Sequence, residues 1–366
     1  MSESILTERV EQLFASALAQ TYQREGLIAL HSAIQQSWKR LKHPMRVALI
    51  GVSGAGKSTM LNALPGEIAV TTGSAKSELL KAFTFIDMPG LASFYADDSQ
   101  ETSEFLKPRG QELTEIMQHA LAHVDAILYL FSQNPGAEGK AVLELFQGSQ
   151  IGRATPINAI GVLARADILW PSYSDALAGG KQMIETLQAD HPRLCSLFST
   201  IVPVSGFLAW GAQTLTPEEF VTLQHLACLP EARLQKLLHN VERFTRRKYQ
   251  NVPITPARRK AVLDRLGTYG IWRAYHLLCA GISEQESLVQ ALLQDSGLPT
   301  LKQQILSHLG ERAYLIKLGG ALRQIKSACF EAQNNNCTSP AEREVVRQIR
   351  SKFGQLADQA LGLSGA

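Results

Sequence analysis

The sequence predicts an open, mainly parallel α/β sheet with helices on both faces, joined to a bundle of long helices. Three observations predict it. Five short, nearly continuous apolar runs lie between residues 46 and 205: RVALIGV, AFTFIDM, AILYLF, INAIGVLA and TIVPVS. Such runs suit strands buried on both faces of a parallel sheet. Helical stretches separate them, as strand–helix–strand crossovers require, and after residue 206 only helical periodicity remains.

The elements follow in order. Residues 6–42 carry two apolar stripes at helical spacing, Val10, Leu13, Phe14, Ala17 and Leu18, then Leu27, Leu30, Ile34, Trp38 and Leu41. Gly26 divides the run and Pro44 ends it. The five strands come next, over 46–52, 82–88, 126–131, 157–164 and 200–205. Helices are expected over 216–249, 256–280, 283–296, 299–333 and 340–361. Thr255-Pro256 and Ser339-Pro340 each put a capping side chain before a first-turn proline, and Ser283 with Glu286 fits a capping box. NNNCTSP (334–340) reads as a loop, and no internal repeat is visible.

Composition narrows the class. A chain of 366 residues suits two or three compact units. No run approaches the roughly 18–20 apolar residues that cross a bilayer, and the polar, amphipathic start lacks a signal peptide's pattern. A net charge of +3 and the lack of an aromatic ladder argue against a nucleic-acid partner. The cysteines, Cys195, Cys228, Cys279, Cys329 and Cys337, are odd in number and form no CxxC pair. They fit a reducing cytoplasm and no cysteine-bound metal.

GVSGAGKST (51–59) follows the first strand and opens a helix. It matches G-x-x-x-x-G-K-[ST] in the context that gives the motif its meaning, a phosphate cradle. Glycines at 51, 54 and 56 let the backbone curl so that the N–H groups of Val52, Ser53, Ala55 and their neighbours face phosphate. The helix start at Lys57, Ser58 and Thr59 adds its dipole. Lys57 would reach the β- and γ-phosphates and Ser58 would ligate Mg²⁺. In IDMPG, Asp87 ends a strand where a carboxylate can hold Mg²⁺ through water, and Gly90 could offer its N–H to the γ-phosphate.

The base is read elsewhere. Guanine presents two adjacent donors, N1–H and N2–H₂, which one carboxylate accepts together; adenine offers no such pair. After the fourth apolar run the chain reads Ala164, Arg165, Ala166, Asp167, an altered form of the N/T-K-x-D pattern. Asp167 would read guanine, and Arg165 would lay its stem or planar head on the base. VPVSG ends the next strand, where Ser205 and Gly206 could present backbone N–H groups to guanine O6. These features point to GTP rather than ATP, with GDP as product.

In this order GVSGAGKSTMLNAL, IDMPGL, VLARAD and VPVSGFLA resemble the bacterial dynamin-like GTPases, and within them the isoniazid-inducible branch. RLGTYGIWRAYHLL and DSGLPTLKQQILSHLGERAYLIK are similar to that branch too, so the resemblance spans about residues 40–330. It implies N-terminal neck helices over 1–43, a GTPase domain with a helical insertion over 44–254, and a helical neck or stalk over 255–366. It further implies GTP hydrolysis and homodimerisation through the GTPase domains across the nucleotide, or pairing with a paralogous dynamin-like subunit. The expected location is cytoplasmic, bound peripherally to lipid at the inner face of the cell membrane.

The chain departs from the family pattern in three places. Many dynamins carry a water-placing Gln in the phosphate loop; Ser53 stands there, and Leu91 follows D-x-P-G. Either Ser53 places the attacking water or hydrolysis is slow. The interval from Lys57 to Asp87 is short for a first switch and another strand, which leaves Thr71 and Thr72 as the switch ligands for Mg²⁺, Thr72 being preferred. No apolar hairpin marks a membrane tip, as if head and neck were present without it.

Ten Lys or Arg side chains fall between 231 and 265. They form either a patch for anionic lipid or, as is more ordinary, a solvated helical surface. The stripe Val345, Val346, Ile349, Phe353, Leu356 and Ala360 suits packing in the neck, and the scattered His43, His123, His225, His239, His276 and His308 are given no catalytic role.

Overall fold

The computed structural model describes residues 3–51, 54–65, 82–87, 124–131, 157–246 and 254–364. They form two compact units, Met1–Met45 with Glu311–Ala366, and Arg46–Gly310.

In the first unit, helices α1 (Glu3–Thr21) and α2 (Ile28–Lys42) are joined by a short turn with a 3₁₀ segment at Glu25–Leu27. Their apolar stripes meet those of two helices from the far end of the chain, Ala313–Asn334 and Pro340–Ser364. Phe14 sits at the centre: its ring stacks on Trp38 at 5.0 Å and meets Phe353 edge-on at 5.1 Å. Lys317 Nζ donates to the carbonyls of Leu41 and His43, both at 2.9 Å, and so satisfies the end of α2. Ser339 and Glu342 cap the last helix reciprocally: Glu342 N donates to Ser339 Oγ at 3.3 Å and Ser339 N to Glu342 Oε2 at 2.8 Å. Ser339 Oγ also donates to Glu342 Oε2 at 2.7 Å, and the hydroxyl and amide of Ser339 together hold the Glu342 carboxyl below its ordinary value.

The second unit holds a five-stranded sheet ordered β2-β1-β3-β4-β5, from β1 (Met45–Gly51), β2 (Phe83–Asp87), β3 (Ala126–Phe131), β4 (Ala159–Ala164) and β5 (Ile201–Val204). β1 with β3, β3 with β4 and β4 with β5 are parallel pairs. Every residue of β3, β4 and β5 is buried, as their continuous hydrophobicity requires. The order reverses between β1 and β3, and ligands in such sheets bind at the strand ends beside that reversal. Helix α3 (Lys57–Ala63) leaves the end of β1. The other helices of this unit are α4 (Ala176–Asp190), α5 (Pro192–Cys195), α6 (Gly206–Gln213), α7 (Pro217–Ala227), α8 (Glu231–Leu238), α9 (Val241–Arg246), α10 (Pro256–Cys279), α11 (Gln285–Asp295) and α12 (Leu298–Gln304). A π turn at Ile305–Gly310 follows, and the two late helices of the first unit are α13 and α14.

Several helical expectations change. The helix expected over 216–249 is three, α7, α8 and α9, because Pro230 cannot continue α7 and Asn240 caps α9 through Arg243 N at 2.9 Å. That over 299–333 divides at the π turn. Ser283 makes no capping box; the N-cap of α11 is Glu284, with no side-chain cap bond. The box of this unit lies at Thr216 and Glu219, at the start of α7. Thr255 caps α10 as its sequence suggests.

The residue expected as a boundary, 255, lies within the second unit, which runs to Gly310. A Cβ on Gly211 would stand 2.0 Å from Arg265 O, so α6 and α10 touch backbone to backbone. The basic stretch is also partly structural. Arg259 is fully buried and donates to the carbonyls of Phe244 and Ile254, both at 2.6 Å. Arg265 pairs with Glu219 at 3.2 Å and lies over the Trp210 ring. Arg247 and Lys248 lie outside the described residues.

Candidate functional site

The site is built where β1, β4 and β5 end. Gly51 is the last residue of β1 and pairs with Leu130; a Cβ there would meet Leu130 O at 2.5 Å. Only glycine tolerates that approach. Gly54 and Gly56 hold φ of 78° and 92°, the left-handed region that turns the chain into α3. Lys57 opens the helix, 9% exposed, with Nζ donating to Gly51 O at 3.0 Å. Burial pushes its ammonium below the ordinary lysine value, and the Asp87 charge opposes that shift. Ser58 Oγ donates to Asp87 Oδ2 at 2.9 Å, which brings the first turn of α3 to the end of β2. Two oxygen-bearing side chains thus sit side by side, both exposed, beside the turn.

A cleft of about 390 Å³ opens next to it. Its floor is Gly54, Ala55, Gly56, Thr59 and Met60; its other walls are Ala164, Arg165 and Asp167 after β4, and Gly206 and Phe207 after β5. Arg165 holds φ 58° and ψ 40°, a left-handed conformation rare for a residue with a Cβ. Its stem runs beside the turn: a Cβ on Gly56 would lie 3.8 Å from Arg165 Cγ. Such strain, of about 1–3 kcal/mol, persists where surrounding structure imposes it and gathers at functional sites.

Asp167 stands in a 3₁₀ turn, Ala166–Leu169, and its Oδ1 accepts from Ser205 Oγ at 2.5 Å. The same hydroxyl accepts from Leu208 N at 3.1 Å as the N-cap of α6. Ser205 therefore differs from its expected role. Its backbone N–H donates to Ser296 O at 2.8 Å and is taken by the fold. The hydroxyl instead orients Asp167. The Gly206 amide begins α6, where helices leave their N–H groups without intrahelical partners.

The structure thus brings Gly54, Ala55, Gly56, Thr59, Arg165, Asp167 and Gly206 to one cleft, with Gly51, Lys57, Ser58, Asp87 and Ser205 bonded at its edge. Val52, Ser53, Thr71, Thr72, Gly90 and Leu91 lie outside the described residues. The sequence did not single out Phe207 or Met60. An aromatic directly after a strand-ending Ser-Gly was the available signal for Phe207. Among the described residues, no three His, Cys, Asp or Glu side chains gather as a metal cluster.

Residues 46–155 match the family model of the 50S ribosome-binding GTPases. The isoniazid-induced protein IniC of Mycobacterium tuberculosis, in strains CDC 1551 / Oshkosh and ATCC 25618 / H37Rv, is 27% identical over 345 residues, 78% of this chain and 67% of that protein. A solved oligomerised bacterial dynamin pair, described as a mechanism for the long-range sensing and tethering of membranes, aligns with 100% of this chain and 76% of its own. Identity is 12% and the TM-score 0.32. The LAO/AO transport system kinase aligns over 97% of this chain and 99% of its own at 17% identity, with a TM-score of 0.22. By its sequence, the chain is similar over most of its length to the isoniazid-induced protein IniC, and it contains a GTPase domain.

Proposed function

We propose that the chain binds GTP with Mg²⁺, hydrolyses it to GDP and phosphate, and couples that cycle to dimerisation and to membrane binding or remodelling. The observation that carries the nucleotide reading is the single cleft shared by the Gly54–Gly56 turn, Arg165 and Asp167. A phosphate cradle and a carboxylate placed for guanine open onto the same space.

Each residue has a task. The backbone N–H groups from Gly51 to Thr59 and the start of α3 hold the phosphates. Lys57 is pushed toward neutrality by burial, so an anionic phosphate beside Nζ stabilises its charged form. Asp167 accepts both guanine donors, kept in orientation by Ser205. Arg165 covers the base and the Gly206 amide faces O6. The adjacent oxygens of Ser58 and Asp87 suit a hard, oxygen-seeking cation, with Thr72 completing the set. Mg²⁺ supplies charge stabilisation at the phosphates when bound. Water attacks the γ-phosphate, placed by Ser53, while Gly90 donates to that phosphate. Catalysis in such a site is mostly positioning and charge.

The bundle of Met1–Met45 with Glu311–Ala366 serves as the neck, and Arg46–Gly310 as the head. Dimerisation runs head to head across the nucleotide, with a second copy or a paralogous subunit. Membrane contact is peripheral, at the cytoplasmic face: among the described residues no helix is long and apolar enough to cross a membrane.

Phosphate release from GTP by the purified chain, against Lys57→Ala, tests the enzyme. Turnover no higher than that control would leave a nucleotide-binding scaffold. A second reading, a regulatory or assembly GTPase that bends no membrane, is favoured by the family match over 46–155. Liposome co-sedimentation with and without GTP separates the two: GTP-dependent binding supports the first.

A further inference from the structure

We propose that Phe207 is the platform on which the purine ring of the bound nucleotide lies, and that Gly267 is the notch that keeps the platform in place. The proposal rests on the nucleotide reading of the cleft and adds a base contact to it.

Phe207 lines the cleft with Arg165, Asp167 and Gly206, and it is half-buried. The neighbouring apolar residues of α6, Leu208, Ala209 and Ala212, are fully buried, so Phe207 is not simply part of the core. It follows Gly206, whose absent Cβ would lie 3.3 Å from Met60 Cα. That close approach sets the start of α6 against the first helix of the phosphate cradle.

The ring is held from α10. Gly267 interrupts that helix with φ 66° and ψ −178°, a conformation essentially confined to glycine. A Cβ there would stand 3.2 Å from Phe207 Cε1 and 3.7 Å from Cδ1. The ring edge therefore occupies the space that the missing side chain leaves. The notch is itself fixed, because the preceding turn of α10 touches α6 at Gly211 and Leu266 is buried. A half-exposed aromatic held against backbone loses little freedom when a flat ligand stacks on it.

Stacking also divides labour within the cleft. Every base has a π face, so an aromatic platform adds affinity without choosing among bases. The choice is left to Asp167, which reads an edge. Phe207 then contributes equally to GTP and GDP, because it meets only what they share.

Calorimetric titration of the full chain with GTP, GDP and inorganic tripolyphosphate tests this. Phe207→Leu keeps most of the volume and removes the π face; it should weaken GTP and GDP on the order of tenfold and leave tripolyphosphate unchanged, since that ligand has no base. Phe207→Tyr should bind all three as the parent does. Phe207→Trp should add, to the emission of the four native tryptophans, a component that the parent lacks and that GDP quenches and tripolyphosphate does not. Parent-like binding of GDP by Phe207→Leu overturns the proposal, and so does an equal loss for tripolyphosphate, which reports a damaged cleft. If the parent took ATP as well as GTP, the guanine reading would fall. The platform would still stand on the Leu and Tyr pair, measured with either nucleotide. If the parent bound no nucleotide, both would fall.

Discussion

Asp167→Asn tests base selection most sharply, because the change is nearly isosteric. In the parent, one carboxylate oxygen accepts from Ser205 Oγ at 2.5 Å. An ionised carboxylate has about four acceptor sites, so it still takes both N1–H and N2–H₂ of guanine. An asparagine amide has one oxygen and one NH₂. If the oxygen stays on Ser205, the NH₂ group faces guanine's donors; if it turns, Ser205 loses its acceptor. One charge-assisted bond is lost, another becomes neutral, and a donor is left facing a donor. With charged hydrogen bonds worth about 1.5–3 kcal/mol, the total is about 3–4 kcal/mol, or roughly 100–1000-fold in GTP affinity. Xanthine carries a carbonyl where guanine carries N2–H₂, so XTP should recover much of the loss. Calorimetric titration of parent and variant with GTP, XTP and ATP at one ionic strength measures all of this. GTP binding by the variant within about threefold of the parent, with no gain for XTP, would refute the assignment of Asp167 to the base edge.

Ser58→Ala removes one of two adjacent oxygens, so its GTP affinity should lose the increment that Mg²⁺ gives the parent, read by titration with Mg²⁺ and with EDTA. Phe14→Ala empties the centre of the first unit, where the ring is fully buried between Trp38 and Phe353. It should cost that unit about 3–5 kcal/mol, seen as lost hydrogen-exchange protection in α1 and α14, with the second unit unchanged. Lys302 is lowered by burial to about 8 from 10.5. Above about 8 the folded chain has released this proton while the unfolded chain keeps it to 10.5, so the contribution of Lys302 to stability should rise with pH across that window. Urea melts of the parent and Lys302→Met at pH 7 and pH 10 read it as a difference; a pH-independent difference would count against it.

Legibility in the sequence followed the range of the interactions. Strands β3, β4 and β5 are buried on both faces, so their apolar runs are enough to find them. The turn after β1 is also local: two left-handed glycines and the helix start belong to nine consecutive residues, GVSGAGKST. Ser205 was misread because its amide is claimed by Ser296, some ninety residues away, and nothing near VPVSG announces that bond. Arg259 was read as surface because charged residues are usually solvated; only the folded chain shows two carbonyls aimed at its guanidinium. Phe207 escaped notice because its partner, the break at Gly267, is visible in sequence as nothing more than a glycine in a helix.

The first unit draws its helices from the two ends of the chain, with Arg46–Gly310 between them. This orders the events of synthesis. α1 and α2 leave the ribosome first, yet Phe353 and the stripe of α13 arrive only after the whole second unit has been made. At about 5–20 residues per second, the wait is on the order of ten seconds to a minute. Throughout it, the apolar face of Leu6, Val10, Phe14, Leu30 and Ile34 has half its partners missing. That face waits for its late partners until translation has passed residue 356, and a ribosome stalled within the second unit would leave it without them.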